Sequence, residues 1–173
     1  PWDLRDDPAN QRFLRRVERA GINLEPWLEG IGTLVRLGRN AQVVCLRLED
    51  DPLHVLQMGA PFDTCLAPGD FNFFSAVTNA ADINKRVLYA RTPQGRVVGR
   101  CLLALLHDGR LLSYRPYALD GGLGFDELAA AFVRELARSM GGAPCGSGTP
   151  EVLVAQDWYD DGEVDLCEVG GQN

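Results

Sequence analysis

Residues 86–117 read RVLYARTPQGRVVGRCLLALLHDGRLLSYRPY, and the punctuation of that stretch decides the architecture. Thr92-Pro93-Gln94-Gly95 and His107-Asp108-Gly109 are turn sequences, because Pro presets the bend and Gly adopts the backbone angles other residues resist. The runs around them are apolar and strand-sized, so the stretch reads as a three-strand antiparallel meander over Arg86–Arg91, Arg96–Leu106 and Arg110–Tyr117. Alternation along the middle strand assigns Arg96, Val98, Arg100, Leu102 and Ala104 to one face. Val97, Gly99, Cys101, Leu103 and Leu105 fall on the other. The unbroken apolar run from Cys101 to Leu106 implies cover on both faces at that end.

Downstream, Asp120-Gly121-Gly122-Leu123-Gly124 leads into a helix over Phe125–Met140. Leu128, Phe132 and Leu136 recur at i, i+4 and i+8 there, and Gly141-Gly142 ends it. Glu151–Ala155 reads as a short strand and Asp157–Gly162 as an acidic turn. Upstream, Phe71–Ile83 reads as a helix that Asp70 could cap, with Phe74, Val77 and Ala81 on one face. Gln42–Leu48 is a strand, Leu53–Met58 a strand or short helix, and Gly59–Asp70 a loop with two prolines and two glycines. Asp7-Pro8 starts a helix that Gly21 stops. Leu24–Leu37 reads as a second, weaker helix interrupted by Gly30 and Gly32, carrying Trp27, Leu28, Ile31, Leu34 and Val35. The fold class expected is α/β of the α+β kind: a mixed sheet centred on the meander and packed by helices. A helical N-terminal region over residues 1–40 precedes an α/β domain over 41–173.

The chain has 173 residues, 46% of them hydrophobic, which is enough for one sizeable core. No apolar run reaches the ~20 residues that span a bilayer, and no membrane role is expected. The N-terminus is polar, without Met or a secretory signal, which suggests a domain cut from a larger protein. Cys45, Cys65, Cys101, Cys145 and Cys167 are scattered and odd in number, and the only histidines are His54 and His107. Paired metal-ligand spacing is missing, so no metal site is expected. The thiols read as free in a reducing, cytoplasmic compartment. The net charge of −7 is unevenly spread. Residues 84–119 carry seven basic groups and one acidic, while residues 120–173 carry two basic and eleven acidic. The basic segment either offers a face to an anion or pairs with the acidic tail of the same chain.

The order of three strands, a Gly-rich loop and a helix resembles the core of the GNAT N-acyltransferases. Val97-Val98-Gly99 looks like that family's third strand, and Gly122-Leu123-Gly124 resembles the Gly-x-Gly of its loop. The resemblance implies an acyl-CoA cofactor, acetyl-CoA in the simplest case, held by Gly121, Gly122 and Gly124 with Arg115 from the basic segment. Small residues allow close approach there, and a helix N-terminus favours anions. Two departures stand out. Leu119 occupies the position of the family's Gln or Arg, and Asp120 places a carboxylate where a pyrophosphate would lie.

Cys65 sits in the Pro/Gly-bounded loop before a helix, where a thiolate gains reactivity. As a nucleophile it needs a base, and His107 beside Asp108 or His54 could serve. Equally, Thr64-Cys65-Leu66 packs beneath the loop. Phe62-Asp63-Thr64-Cys65-Leu66, taken with Val98–Leu103 and Tyr114–Tyr117, also resembles a pattern in uncharacterised phage- and plasmid-borne proteins. That likeness implies a shared module and no particular activity.

The leading expectation is therefore a non-catalytic or regulatory module without a cofactor. Its partner would be another protein, the rest of its own chain, or an anionic ligand. Arg96 and Arg100 on the meander, and Trp158 and Tyr159 in the acidic turn, are the candidate contact residues. Nucleic acid is not expected, because the chain is acidic and carries no basic-aromatic sheet pattern. An acyltransferase and a Cys65 thiol enzyme are the alternatives.

Overall fold

The structure is a computed structural model and describes residues 3–160 together with Gly162, Val164 and Leu166. Its first helix, α1 (Pro8–Arg19), begins where Asp7 accepts the N–H groups of Ala9 and Asn10. A single turn, α2 (Glu25–Leu28), follows. The sheet strands are β1 (Leu34–Leu37), β2 (Val43–Leu48), β3 (Lys85–Arg91), β4 (Val97–Leu105), β5 (Arg110–Ser113), β6 (Tyr117–Ala118) and β7 (Ala143–Cys145). Between β2 and β3 stand α3 (Pro52–Leu56) and α4 (Phe74–Ala81), and α5 (Phe125–Met140) precedes β7. The protein is α+β.

The meander is present, with β3, β4 and β5 antiparallel and adjacent. The sheet order is β1-β2-β3-β4-β5-β7, with β6 also pairing β4. The third strand of the meander is thus interrupted at Tyr114–Pro116. β7 runs parallel to β5 after the α5 crossover. A bulge opposite Ala90 and Arg91 alters the expected alternation of β4. Val98 joins Cys101, Leu103 and Leu105 in the core beneath α5, while Val97 packs on the opposite face. One extra residue in a strand flips the side chains beyond it.

Two cores sandwich the sheet. On one face α1, α2 and α5 bring Phe13, Val17, Trp27, Phe132, Val133 and Leu136 against Leu46, Leu88 and Leu103. On the other, Val55, Met58, Leu66 and Ala76 cover Val87, Tyr89, Leu102 and Tyr114. The run Cys101–Leu106 is buried on both sides. Gly141 closes α5 with φ of +74°, an angle glycine adopts without steric cost.

Five sequence expectations are corrected. Residues 24–37 are not one helix, because Gly30 and Gly32 take φ of +79° and +82° and break it, and Leu34–Leu37 then pairs with β2. The helical N-terminal region accordingly ends at Leu28, and the sheet begins before residue 41. Helix α4 buries Ser75, Ala76, Thr78 and Asn79, leaving Phe74 and Val77 40% and 48% exposed. Asp70 gives it no side-chain cap. Residues 151–155 are extended without strand pairing.

The inverted face of α4 and the unpaired 151–155 segment share one cause. The polar side of α4 faces a strap formed by residues 151–159. Thr78 Oγ1 donates to Asp157 O at 2.6 Å, and Tyr159 N–H donates to Ser75 Oγ. Beyond α4, the fully buried Asp82 carboxylate accepts the N–H groups of Leu153, Val154 and Ala155 at 2.8, 2.9 and 3.1 Å. Lys85 Nζ, also fully buried, donates to Asp82 at 2.9 Å, to Asn84 Oδ1 at 3.1 Å and to Glu151 O at 2.7 Å. Further on, Val164 N–H reaches Ser113 O and Arg115 N–H reaches Gly162 O, extending the sheet edge where β7 ends.

The same junction holds the N-terminal arm. Asn10, fully buried, donates to Leu4 O and Ala81 O and accepts from Ile83 N–H. Trp27 Nε1–H donates to Ile83 O at 2.8 Å. Removing one member of a buried ion pair strands the other, at about 3–5 kcal/mol. Asp82→Ala is therefore expected to lower urea-unfolding stability by about that amount, whereas Glu18→Ala, at an exposed position of α1, is expected to change it by less than ~0.5 kcal/mol.

Candidate functional site

A cavity of about 540 Å³ opens where the N-terminal arm, the β2–α3 turn, α4 and β3 meet. Its volume suits a small organic ligand. Leu4, Leu28, Val55, Ala80, Ile83 and Val87 form the apolar part of its wall. Asp3, Arg5, Glu29, Glu49 and Asp50 stand at it as charged groups, with Lys85, Arg86 and Asn79 deeper. The cations already have protein acceptors. Arg86 donates to Trp27 O, Leu28 O, Glu49 O and Asp50. Arg5 is held by Asp3 and Glu29. Burial pushes both Lys85 and Arg86 below their ordinary pKa ranges, against the pull of Asp82 and Asp50 respectively. Two buried polar atoms in this wall lack a hydrogen-bond partner, Asn79 Oδ1 and Arg86 Nε.

A second cavity of about 500 Å³ adjoins the first across Glu49 and Asp50 and is lined by Cys45, His54, Arg91 and Thr92. Glu49 organises it. Its carboxylate accepts from Asp50 and Asp51 N–H at 2.9 and 2.8 Å and pairs closely with Arg91. His54 Nδ1 lies 3.4 Å from Glu49 and 3.7 Å from Asp51. Burial pushes the Glu49 carboxyl up, but the Asp51 N–H and Arg91 outweigh it and hold the group below the usual glutamate range. Burial also raises the Tyr89 phenol, whose hydroxyl donates to His54 O.

The structure scatters the residues singled out in the sequence. Cys65 is exposed, and Asn72 Nδ2 donates to its Sγ at 3.3 Å. The Cys65 loop folds tightly over Gly59, where a Cβ would come within 2.2 Å of Ala67 N. His54 sits against Glu49, and His107 Nδ1 lies 3.7 Å from Glu151. Both histidines are thus placed against carboxylates. At the Gly-rich loop, Asp120 accepts Gly122 N–H at 2.8 Å and Asn40 Nδ2 at 2.7 Å. The Gly122 N–H, then Asn40, draw the Asp120 carboxyl below its usual range. Arg39 packs on Gly124 and pairs with Glu127. Gly121 and Gly122 are exposed, Gly124 is buried, and Arg115 is exposed with its guanidinium 6.0 Å from the Tyr117 ring.

Of the contact candidates, Arg96 is exposed in its turn and Tyr159 is 44% exposed. Arg100 is fully buried, its guanidinium beside the Phe62 and Tyr117 rings at 5.7 and 4.6 Å and donating to Met58 O. It therefore serves the interior of the sheet rather than an open face. Trp158 is half-buried, edge-on to Tyr114 at 5.2 Å and beneath Lys85 Nζ at 5.0 Å. The basic segment pairs with Glu49, Asp50 and Asp82. Asp161, Glu163, Asp165 and Glu168 of the acidic tail lie outside the described residues. Among the described residues no cluster of His, Cys, Asp and Glu could hold a metal ion, and no helix is long and apolar enough to cross a membrane.

Neither cavity was legible beforehand. The signals that could have found them are Asn79 at a buried helix position and the acidic run Glu49-Asp50-Asp51 closing a strand. Because the folded pKa of Glu49 lies below its unfolded value, its stabilisation is complete above the ordinary glutamate pKa of about 4.3 and fades as pH falls through the folded value. Glu49→Gln is expected to flatten the acid limb of a stability–pH profile between about pH 3 and 5, measured by thermal midpoint. No protein-family model, curated protein or solved structure matches this chain.

Proposed function

We propose that the chain is a non-catalytic ligand-binding module whose ligand seats in the 540 Å³ cavity beneath the N-terminal arm. The observation that carries this reading is the composition of the wall: apolar side chains interleaved with charged groups that already pair within the protein, on elements pinned by buried hydrogen bonds. Rigid walls lower the ordering cost of binding. The committed hydrogen bonds of Arg86 and Arg5 favour a neutral ligand over an anion. A regulatory role follows from position. The arm that roofs the cavity and the strap behind it are fastened to the same α4–β3 junction, so an occupant that shifts one also loads the other.

A second reading, docking of a protein partner, is favoured by the outer ribbon of the sheet. Val35, Leu37 and Val43 stand 59%, 63% and 43% exposed, with Leu37 opposite Val43 in register. Exposed apolar groups clustered in this way mark interaction surfaces.

Nile red, a neutral apolar dye, tests the first reading. The wild-type chain is expected to enhance its emission at micromolar concentration. Ala80→Trp, which places an indole in the cavity wall, is expected to weaken that binding by about tenfold, some 1.4 kcal/mol. Equal binding by both proteins, or none by the wild type, contradicts the reading.

A further inference from the structure

Helix α4 carries its apolar stripe on the outside. Ser75 and Thr78 are buried against the strap. Phe74 and Val77 face solvent, and Phe71, in the turn before the helix, is 93% exposed. The three recur every third residue, the spacing of one helix face. A helix in a folded domain ordinarily turns such a stripe to the core. Single exposed apolar groups are common, but three along one face form a patch that marks an interaction surface. The strap runs antiparallel beside this helix: Tyr159 meets Ser75, Asp157 meets Thr78 and Val154 meets Asp82. It sets the partly exposed Tyr159 and Val154 along the flank of α4. None of these apolar residues lines either cavity.

Charge narrows what covers the patch. Residues 60–84 and 152–160 contain no Lys, Arg or His. Asp70 adjoins Phe71, and Asp157 and Asp160 bracket Trp158 and Tyr159, with Asp70 and Asp157 exposed. Anionic lipid headgroups and nucleic acid share the sign of this rim and are repelled by it. Addition of a β-strand to the strap is disfavoured, because its N–H groups at Leu153, Val154 and Ala155 are already donated to Asp82. The arginine-rich α1 of a second copy offers no anchor, since it buries its own Phe13 and Val17. We propose that this surface docks a basic amphipathic helix of a partner protein. Its apolar side chains lie on Phe71, Phe74 and Val77, and its Arg or Lys side chains reach toward Asp70, Asp157 and Asp160.

The probe is a labelled synthetic helix of about 15 residues, with leucine at i, i+3, i+4 and i+7 and arginine between, titrated with the full chain at about 0.15 M salt and followed by fluorescence anisotropy. Two control peptides separate the contributions, one with serine for leucine and one with glutamate for arginine. The leucine–arginine peptide is expected to bind about a hundredfold more tightly than either control. Phe71→Ser and Val77→Ser, both at exposed positions, are each expected to lower its affinity by about tenfold. Leu37→Ser, on the outer ribbon, is expected to leave it unchanged. Joint replacement Asp70→Asn and Asp157→Asn is expected to weaken binding at low salt and flatten its salt dependence. No binding, or equal affinity for the leucine and serine peptides, overturns the proposal. So does a loss at Leu37→Ser with none at Phe71→Ser, or binding to phosphatidylglycerol vesicles in place of the peptide.

Discussion

The fold depends on one buried carboxylate. Asp82 lies between α4 and β3, fully out of solvent, and accepts three consecutive backbone N–H groups from the strap and one bond from Lys85. A lone ionised carboxylate in such a place would be strongly unfavourable. Here four donors surround it, and the lysine that balances its charge is itself held by Asn84 and Glu151 O. The three N–H bonds from Leu153, Val154 and Ala155 fix the strap's path across the molecule. Lys85 also sits over the Trp158 ring, which carries that specification into the second core.

The surrounding structure follows from the same five residues. Ala81 and Ile83 flank Asp82 and receive the N-terminal arm through Asn10 and Trp27. Asn84 O accepts Leu105 N–H, which ties the junction to β4. Arm, strap and sheet therefore converge on residues 81–85 from three sides. The cavity is the space left between the arm and the sheet next to that convergence, and its walls inherit the rigidity of the junction. Glu49 extends the arrangement to the neighbouring cavity, its carbonyl serving Arg86 on one side and its carboxylate serving Arg91 on the other.

The parts of this fold that were legible in the sequence are those governed by local chemistry. The two turns of the meander, the Asp7-Pro8 start of α1 and the apolar stripe of α5 each follow from a few neighbouring residues. What escaped depends on distant ones. Phe74 and Val77 carry the apolar spacing of a buried face, yet α4 turns Ser75, Thr78 and Asn79 inward because a strap eighty residues away supplies their partners. Leu34–Leu37 has helical company in Trp27 and Leu28, but two left-handed glycines and the register of β2 make it a strand. Arg100 lay in an alternation that implied an open face, and the loop carrying Phe62 closes over it. The cavity was hidden for the same reason: its walls come from four segments, and no local motif joins Leu28, Asp50, Asn79 and Arg86.

Amide hydrogen exchange at Leu153, Val154 and Ala155 tests the central claim most directly. These residues are in no helix or strand, so only the Asp82 carboxylate shields their N–H groups. The account predicts protection close to that of the β4 amides, lost together at the three positions when exchange is repeated on the Asp82→Ala protein. Exchange at unstructured-chain rates in the unaltered protein would contradict it.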